Sequence, residues 1–335
     1  MLKNIKISSA PHISGPLSTR RIMIDVTIAL AFPVIAAAFY FRIYALILIA
    51  TCVISCVVTE LLCNLISKKT NSLGDFSAVV TGIILALSLP PKLPIWAAVI
   101  GSAFAIAIGK MVFGGLGANI FNPAMAGRAF LTACFGMLMT TWTVPATINT
   151  DMPKISAENT VAITQATPLA LSKQAIKTKT GADQLKEQIN ASVLGEIGGC
   201  LGETSALAIL IGGLYMLIRK TINFHIPLAV LLSASFFAAL ANLINPDAYV
   251  TPLLHLTGGG LMLCAFFIAT DPVTAPLTIR GMWIFGIGVG AITMLIRIIG
   301  EYPGGVMYSI LLMNAVTPLI DRFCKLTPAG GKPNA

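Results

Sequence analysis

Apolar residues in this chain come in long runs, and the polar residues are confined to the breaks between them. The runs fall at 22–41, 43–66, 75–89, 94–113, 120–142, 203–218, 222–243, 253–270, 280–299 and 303–321. They are not alternating, and most approach the roughly 20 residues that a helix needs to cross a bilayer. The pattern predicts an all-α polytopic membrane protein of about ten helices. The third and eighth runs are short. The third ends at "SLPPKLP", and the eighth opens on "TGGG" (Thr257 to Gly260) and ends at "TDPVTAP".

Composition supports this reading. The chain is 56% hydrophobic and 10% charged, whereas about a quarter of a soluble domain is charged. The net charge of +9 raises nucleic acid as a partner, but its distribution argues against it. With the N-terminus inside, thirteen Lys and Arg lie on the inner segments (Lys3, Lys6, Arg20, Arg21, Lys68, Lys69, Lys110, Arg219, Lys220, Arg280, Arg322, Lys325 and Lys332), and the short outer loops hold only Arg42, Lys92 and Arg297. That bias is the signature of cytoplasmic loops. It predicts a multi-pass membrane protein with both termini cytoplasmic and the polar loop 143–200 extracytoplasmic. "STRRIMIDVTIALAFPVIAAAFYF" is too long for an export signal and a second run follows at once, so Arg20 and Arg21 read as interfacial anchors, with Asp25 one turn beyond Arg21.

The loop divides the runs five and five. The first half closes with "IGKMVFGGLGANIFNPAMAGRAF" and the second with "IRIIGEYPGGVMYSILLMNAVTPLIDRF". Each passes from a charged helix end through glycines to an Asn in an apolar helix, Asn122 and Asn314, and each half has a short helix stopped by proline, at Pro90 and Pro272. Two adjacent repeats with an odd number of spans lie in opposite orientations, a transporter plan in which broken helices mark the functional centre. The expected organisation is a five-helix repeat over 1–142, the loop over 143–200, a second repeat over 201–325 and a cytoplasmic tail over 326–335. Polar groups inside the membrane are costly, which singles out Asp75, Asn119, Asn122, Arg128, Asp271 and Asn314. Capping, snorkelling and inter-helix hydrogen bonds are the plainer roles for them. His225 and His255, near run ends, read as structural.

Seven cysteines are present without a C-x-x-C pair, so no metal or iron–sulfur site is expected. "GGLGAN" lacks the spacing of a nucleotide-binding fingerprint. The loop holds the uncharged stretch "NTVAITQATPLA", Asn159 to Ala170. Pro168 biases Thr167 toward an extended backbone, and a threonine hydroxyl can be esterified by phosphate. Ala-Thr occurs four times, at Thr51, Thr147, Thr167 and Thr270, but only Thr167 also has a Ser or Thr three residues earlier, Thr164. An ordinary loop threonine stays open at this point.

Collinear motifs give a resemblance over nearly the whole chain: "SAPHI" with "STRRIM", "LSLPP", "GGLGANIFNPAMAGR", "TQATPL", "HLTGGGLMLCAFFIATDPVTAP" and "LLMNAVTPLID". The chain resembles the RnfD/NqrB family, whose members are the RnfD component of the Rnf electron-transport complex and its relative NqrB of the sodium-translocating NADH:quinone reductase. Within that family it looks more like the Rnf component. The resemblance implies a component, in a bacterial or archaeal cell membrane, of a ferredoxin:NAD oxidoreductase that couples electron transfer to Na⁺ or H⁺ translocation. It implies covalent FMN, through a phosphoester on Thr167, with Thr164, Gln165 and Ala166 as the motif around it. Family members commonly have Asp where Val161 stands here. A separate flavin transferase attaches the FMN, and relatives also hold a non-covalent riboflavin. Other Rnf subunits are the expected partners and bind ferredoxin and NAD. No catalytic residue is expected in this chain, nor activity from it alone. The rival readings are a non-redox channel or secondary transporter for a small solute, and a structural scaffold.

Overall fold

The computed structural model describes residues 18–68, 72–142, 167–179, 185, 192–193, 198–203 and 205–325. Its elements are all helical. The first two apolar runs form one helix, α1 (Thr19–Ile66), started by the Ser18 hydroxyl accepting from Arg21 N. The break expected at 42 is present inside it: Arg42 alone leaves helical geometry, at φ 59° and ψ −148°. The two runs are therefore joined by a kink and not by a loop.

The third run is α2 (Ser77–Leu87), ten of whose residues are buried. Eleven residues rise only about 16 Å, too little to cross a bilayer alone. A helix apolar all round belongs in a core, and α2 packs along α1 so closely that a Cβ on Gly82 would stand 2.7 Å from Val53 Cα. The fourth run is α3 (Ile95–Ile106), which widens into a π-helical turn, Ala107–Met111, containing Lys110. After a glycine-rich turn come α4 (Pro123–Cys134) and the short α5 (Gly136–Met139). Helix α4 starts at Pro123, capped by Asn122 Oδ1 at 3.2 Å from Met125 N, the arrangement that proline at the first helical position favours.

From the polar loop the structure places α6 (Pro168–Thr178). The second half comprises α7 (Ala206–Ile218), α8 (His225–Ile244), α9 (Pro252–Thr257), α10 (Leu261–Leu263), α11 (Ile279–Ile298) and α12 (Val306–Phe323). The eighth run is interrupted at its glycines: Gly258–Gly260 separates α9 from α10, and α10 passes into π-helical Cys264–Ile268. Among the described residues, Thr19–Ile66, His225–Ile244 and Ile279–Ile298 are each long and apolar enough to cross a membrane.

One continuous apolar core runs from Met23 in α1 to Ile320 in α12. Large apolar side chains also face outward along several helices, among them Ile35, Ile66, Ile218, Leu243 and Phe323, each more than 60% exposed. Such a surface is a liability in water and is natural against lipid. Helix α11, whose 20 residues rise about 30 Å, separates two polar ends of the bundle. One end carries Lys110 and Asp271, and the other carries Arg297 and Thr167.

Candidate functional site

At the first end, a buried chain of polar groups links α1 to α2 and α3. Lys110 Nζ lies 2.9 and 2.8 Å from the two Glu60 carboxylate oxygens and also donates to Ser77 Oγ. Glu60 is 0% exposed and Lys110 1%. Ser72 Oγ donates to Glu60, and Asn64 Nδ2 donates to Ser72 Oγ at 3.0 Å. Asp75, in the turn Leu73–Asp75, accepts from Ser77 N at 2.8 Å and from the Ser77 hydroxyl. Asp75 thus caps α2, and Lys110 is no loop charge: the π-turn carries it inward to a carboxylate. Sequence reasoning passed over Glu60. Its signal was available, a lone acid in an apolar run with Asn64 one helical turn later.

Beside this network lies a cleft of about 690 Å³ of empty space, part of it continuous with solvent. Ser77, Thr81, Lys110, Asn119, Asn122, Thr221, Thr270 and Asp271 supply its polar lining, on walls from both halves. Asn119 donates to Phe121 O at 3.1 Å, yet its buried Oδ1 has no hydrogen-bond partner among the described residues. Asp271 accepts from Val273 N at 3.3 Å and from Thr274 Oγ1 at 3.1 Å, which shapes the "TDPVT" turn.

The two recurring asparagines meet. Asn314 Oδ1 accepts from Asn122 N at 3.1 Å, and Asn314 Nδ2 donates to Thr274 O at 3.3 Å, where Thr317 Oγ1 also donates at 3.1 Å. One side chain therefore ties α12, the start of α4 and the turn after the broken eighth run. A second tie joins the halves at the surface of this end: Arg219 Nη2 lies 3.3 Å from Asp25 Oδ1, and Thr221 Oγ1 donates to Asp25 Oδ2 at 3.3 Å. Asp25 is thus engaged by the second half of the chain. Arg128 lies at the other end, with Nη2 3.3 Å from Cys200 Sγ.

Thr167 is the N-cap of α6. Its backbone is extended (φ −64°, ψ 155°), as Pro168 dictates, and its hydroxyl accepts from Ala170 N at 3.1 Å. It is 7% exposed. Thr164, Gln165, Ala166 and Val161 lie outside the described residues. Helix α6 is moored at three points. Leu169 packs on the glycine turn, where a Cβ on Gly259 would stand 2.5 Å from Leu169 Cδ1; Gly259 also has φ +72°, which only glycine adopts without strain. Lys173 Nζ donates to Arg297 O at 2.6 Å and to Ile296 O at 3.4 Å, capping the end of α11. Lys177 pairs with Glu301 at 2.9 Å on the surface. Burial holds the Lys173 amine below the ordinary lysine value, with Glu301 opposing that shift. The hydrogen bond from Lys177 holds the Glu301 carboxyl below its ordinary value.

Beneath Leu169 sits Arg297, placed by its sequence in a short outer loop but found in the last turn of α11 and 2% exposed. It donates to Gly304 O at 3.1 Å, to Gly258 O at 3.3 Å and to His255 O. It thereby clamps the broken eighth run to the turn before α12. His255 is buried with Nδ1 unpartnered among the described residues.

The geometry describes two polar centres in an apolar helical bundle, and comparison with known proteins says whose bundle it is. Residues 6–330 match the NQR2, RnfD, RnfE family. This chain belongs to that family. Among its relatives, the D subunit of the Na⁺-translocating ferredoxin:NAD⁺ oxidoreductase complex of Acetobacterium woodii is 45% identical, over 96% of this chain and 94% of the relative. The D subunit of the proton-translocating ferredoxin:NAD⁺ oxidoreductase complex of Clostridium ljungdahlii is 43% identical, over 96% and 95%. The D subunit of the ion-translocating oxidoreductase complex of Stutzerimonas stutzeri is 41% identical, over 94% of each.

Proposed function

We propose that this chain is the membrane-embedded D subunit of an ion-translocating ferredoxin:NAD⁺ oxidoreductase, that it carries electrons through FMN esterified to Thr167, and that it contributes to Na⁺ or H⁺ translocation. End-to-end similarity to members of that complex supports the assembly, with other Rnf subunits binding ferredoxin and NAD. The observation that carries the cofactor assignment is the place of Thr167: a hydroxyl on the N-terminus of an eleven-residue helix. A phosphoryl group there meets the positive end of the helix dipole, although Pro168 lacks an N–H and Ala170 N already donates to the Thr167 oxygen. A bound flavin supplies one-electron and two-electron chemistry, and the protein supplies its placement and field. The low exposure of Thr167 implies that the flavin transferase acts before α6 docks on Gly258–Gly260.

The cleft at the other end suits the non-covalent riboflavin. Asn119 Oδ1 awaits a donor, and the apolar walls with few polar groups resemble a small-molecule site. Two inverted five-helix repeats, over 1–142 and 201–325, with the flavin loop 143–200 on the extracytoplasmic face and both termini cytoplasmic, account for the meeting of Asn122 with Asn314 and for a broken helix in each half. On this reading Thr167 and the cleft lie at opposite membrane faces.

Two substitutions test the proposal in the assembled complex in membrane vesicles. Thr167→Ala should abolish ferredoxin-dependent NAD⁺ reduction and the coupled ion uptake while the complex still assembles. Asn119→Leu should reduce acid-extractable riboflavin and leave covalent FMN in place. Undiminished electron transfer in Thr167→Ala would return the chain to the class of non-redox transporters.

A further inference from the structure

The cleft beside Lys110 is short of positive charge. Among the described residues Lys110 is the one cation in its lining, and it is already engaged. Its Nζ lies 2.9 and 2.8 Å from the two Glu60 oxygens and donates to Ser77 Oγ. Three further acids stand on the wall or one hydrogen bond behind it. Asp271 lines the cleft, Asp75 accepts from the Ser77 hydroxyl, and Asp25 accepts from Thr221 Oγ1 at 3.3 Å. Arg219 answers Asp25, at 3.3 Å. Among the described residues no Lys, Arg or His nitrogen comes within 4.0 Å of the Asp75 or Asp271 carboxylate. Four carboxylates therefore stand against two cations. Arg20, over the Phe76 ring at 5.4 Å, is exposed to solvent and screened.

The neutral groups point the same way. Asn119 Oδ1, buried and without a hydrogen-bond partner among the described residues, is an acceptor and calls for a donor. Ser77, Thr221 and Thr270 give their hydroxyl protons to Asp75, Asp25 and Phe266 O. Two helices start at the cleft, and a helix start favours an anion. Both starts are already capped by side-chain oxygens: Asp75 Oδ1 takes Ser77 N at 2.8 Å for α2, and Asn122 Oδ1 takes Met125 N at 3.2 Å for α4.

A phosphate dianion entering this cleft would lose its water, gain no unpaired cation and meet carboxylates of its own sign. A neutral ligand rich in O–H and N–H donors meets none of these penalties and can satisfy Asn119. We infer that the cleft selects against phosphorylated flavin by charge, and that Glu60, which neutralises Lys110, and Asp271 set this selectivity. The inference rests on the reading of the cleft as the riboflavin site. It divides the two flavins of one chain by their chemistry: the ester on Thr167 needs the FMN phosphate, and the cleft takes the form without it. No bond forms or breaks at Glu60 or Asp271; both act through their charge.

The test is competition binding in the full complex. Labelled riboflavin is exchanged into the complex, and unlabelled riboflavin, FMN and a neutral 5′-acetyl ester of riboflavin compete with it. FMN should compete about 100-fold less well than riboflavin, and the ester within about tenfold of riboflavin, since it adds bulk without charge. Glu60→Gln, which leaves Lys110 unpaired, and Asp271→Asn should each narrow the FMN gap by about tenfold. FMN competing as well as riboflavin overturns the inference. Rejection of the ester as strongly as FMN assigns the selectivity to bulk and overturns it too, as does an unchanged gap in both variants. Should Glu60→Gln not assemble, Asp271→Asn decides alone. Asn119→Leu ties the label to this cleft by losing it. Label retained in that variant, or none taken up by the unsubstituted complex, refutes the riboflavin reading itself, a different failure.

Discussion

The two ends of the bundle handle buried charge in opposite ways. At the Lys110 end the cation has an anion: Glu60 holds Lys110, and Ser72, Asn64, Ser77 and Asp75 complete the chain of donors and acceptors. At the Thr167 end Arg297 and Lys173 donate to carbonyl oxygens, and the acids Glu203 and Glu301 act on them from nearby without a direct ion pair among the described residues. The first arrangement is closed and suits a fixed scaffold beside a cleft. The second is more open, its cations solvated by carbonyl dipoles and balanced by acids that do not touch them. Opposite-sign pairing of the first kind locks α1, α2 and α3 together, whereas the second leaves α6 moored by contacts that are individually weaker.

The sharpest way to break the comparison is at the closed end. Lys110→Met leaves Glu60 buried and unpaired, which should cost about 3–5 kcal/mol. Glu60→Leu together with Lys110→Met should recover most of that loss. A double-mutant cycle on thermal unfolding of the purified protein measures the coupling, and purely additive losses would show that the pair does not act as one unit. Next in size, Asn314→Ala strands Asn122 N–H and frees Thr274 O, for an expected loss of about 1–3 kcal/mol. Asn314→Asp should lose at least as much by the same measurement, because it buries a carboxylate without a counter-ion and turns an oxygen toward Thr274 O. At the open end, Gly259→Ala forces a side chain into φ +72° and against Leu169, a strain of about 1–3 kcal/mol. Gly260→Ala, with φ −75° and its nearest neighbour Glu203 Oε1 at 3.4 Å, should be milder. Amide exchange across 168–178 should rise in the first variant and hardly in the second.

The smallest effect concerns Lys177 and Glu301, both largely exposed. The Glu301 carboxyl sits below its ordinary value of 4.5 because Lys177 donates to it. A depressed carboxyl binds its proton less readily in the docked state than in the undocked one, so the docking contribution is complete above pH 4.5. It is lost as pH falls through the lower docked value. Exposed pairs contribute little. Glu301→Gln should therefore raise exchange in 168–178 by at most about twofold at neutral pH and remove the acid dependence. A large effect would mean that this bridge, not Leu169 and Lys173, holds α6.

Much of this was legible in the sequence because lipid imposes it. Apolar runs mark helices, the charge at Arg42 marks the kink, and the glycines at 258–260 and the proline at 272 mark where the eighth run breaks. Asn122 and Asn314 stood out as recurrent polar residues in apolar helices, and the fold makes them partners. The charged centres were hidden for a physical reason. Lys110 and Arg297 lie at the ends of apolar runs, where a cation normally snorkels to water. Only the π-turn at Ala107–Met111 and the partners 50 and 42 residues away turn them inward. Pairing over such distances leaves no local pattern. The cleft is likewise built from both halves, and no single run announces it. Thr167 was singled out by its neighbours, and the structure adds what they did not state, that its hydroxyl caps a helix.

The central claim is tested most directly by intact mass and in-gel flavin fluorescence of the purified protein, produced with its transferase, beside Thr167→Ala. The account predicts a mass increase of one FMN less water and a fluorescent band in the first, and neither in the variant. A protein of unmodified mass, or a fluorescent band that survives Thr167→Ala, would contradict it.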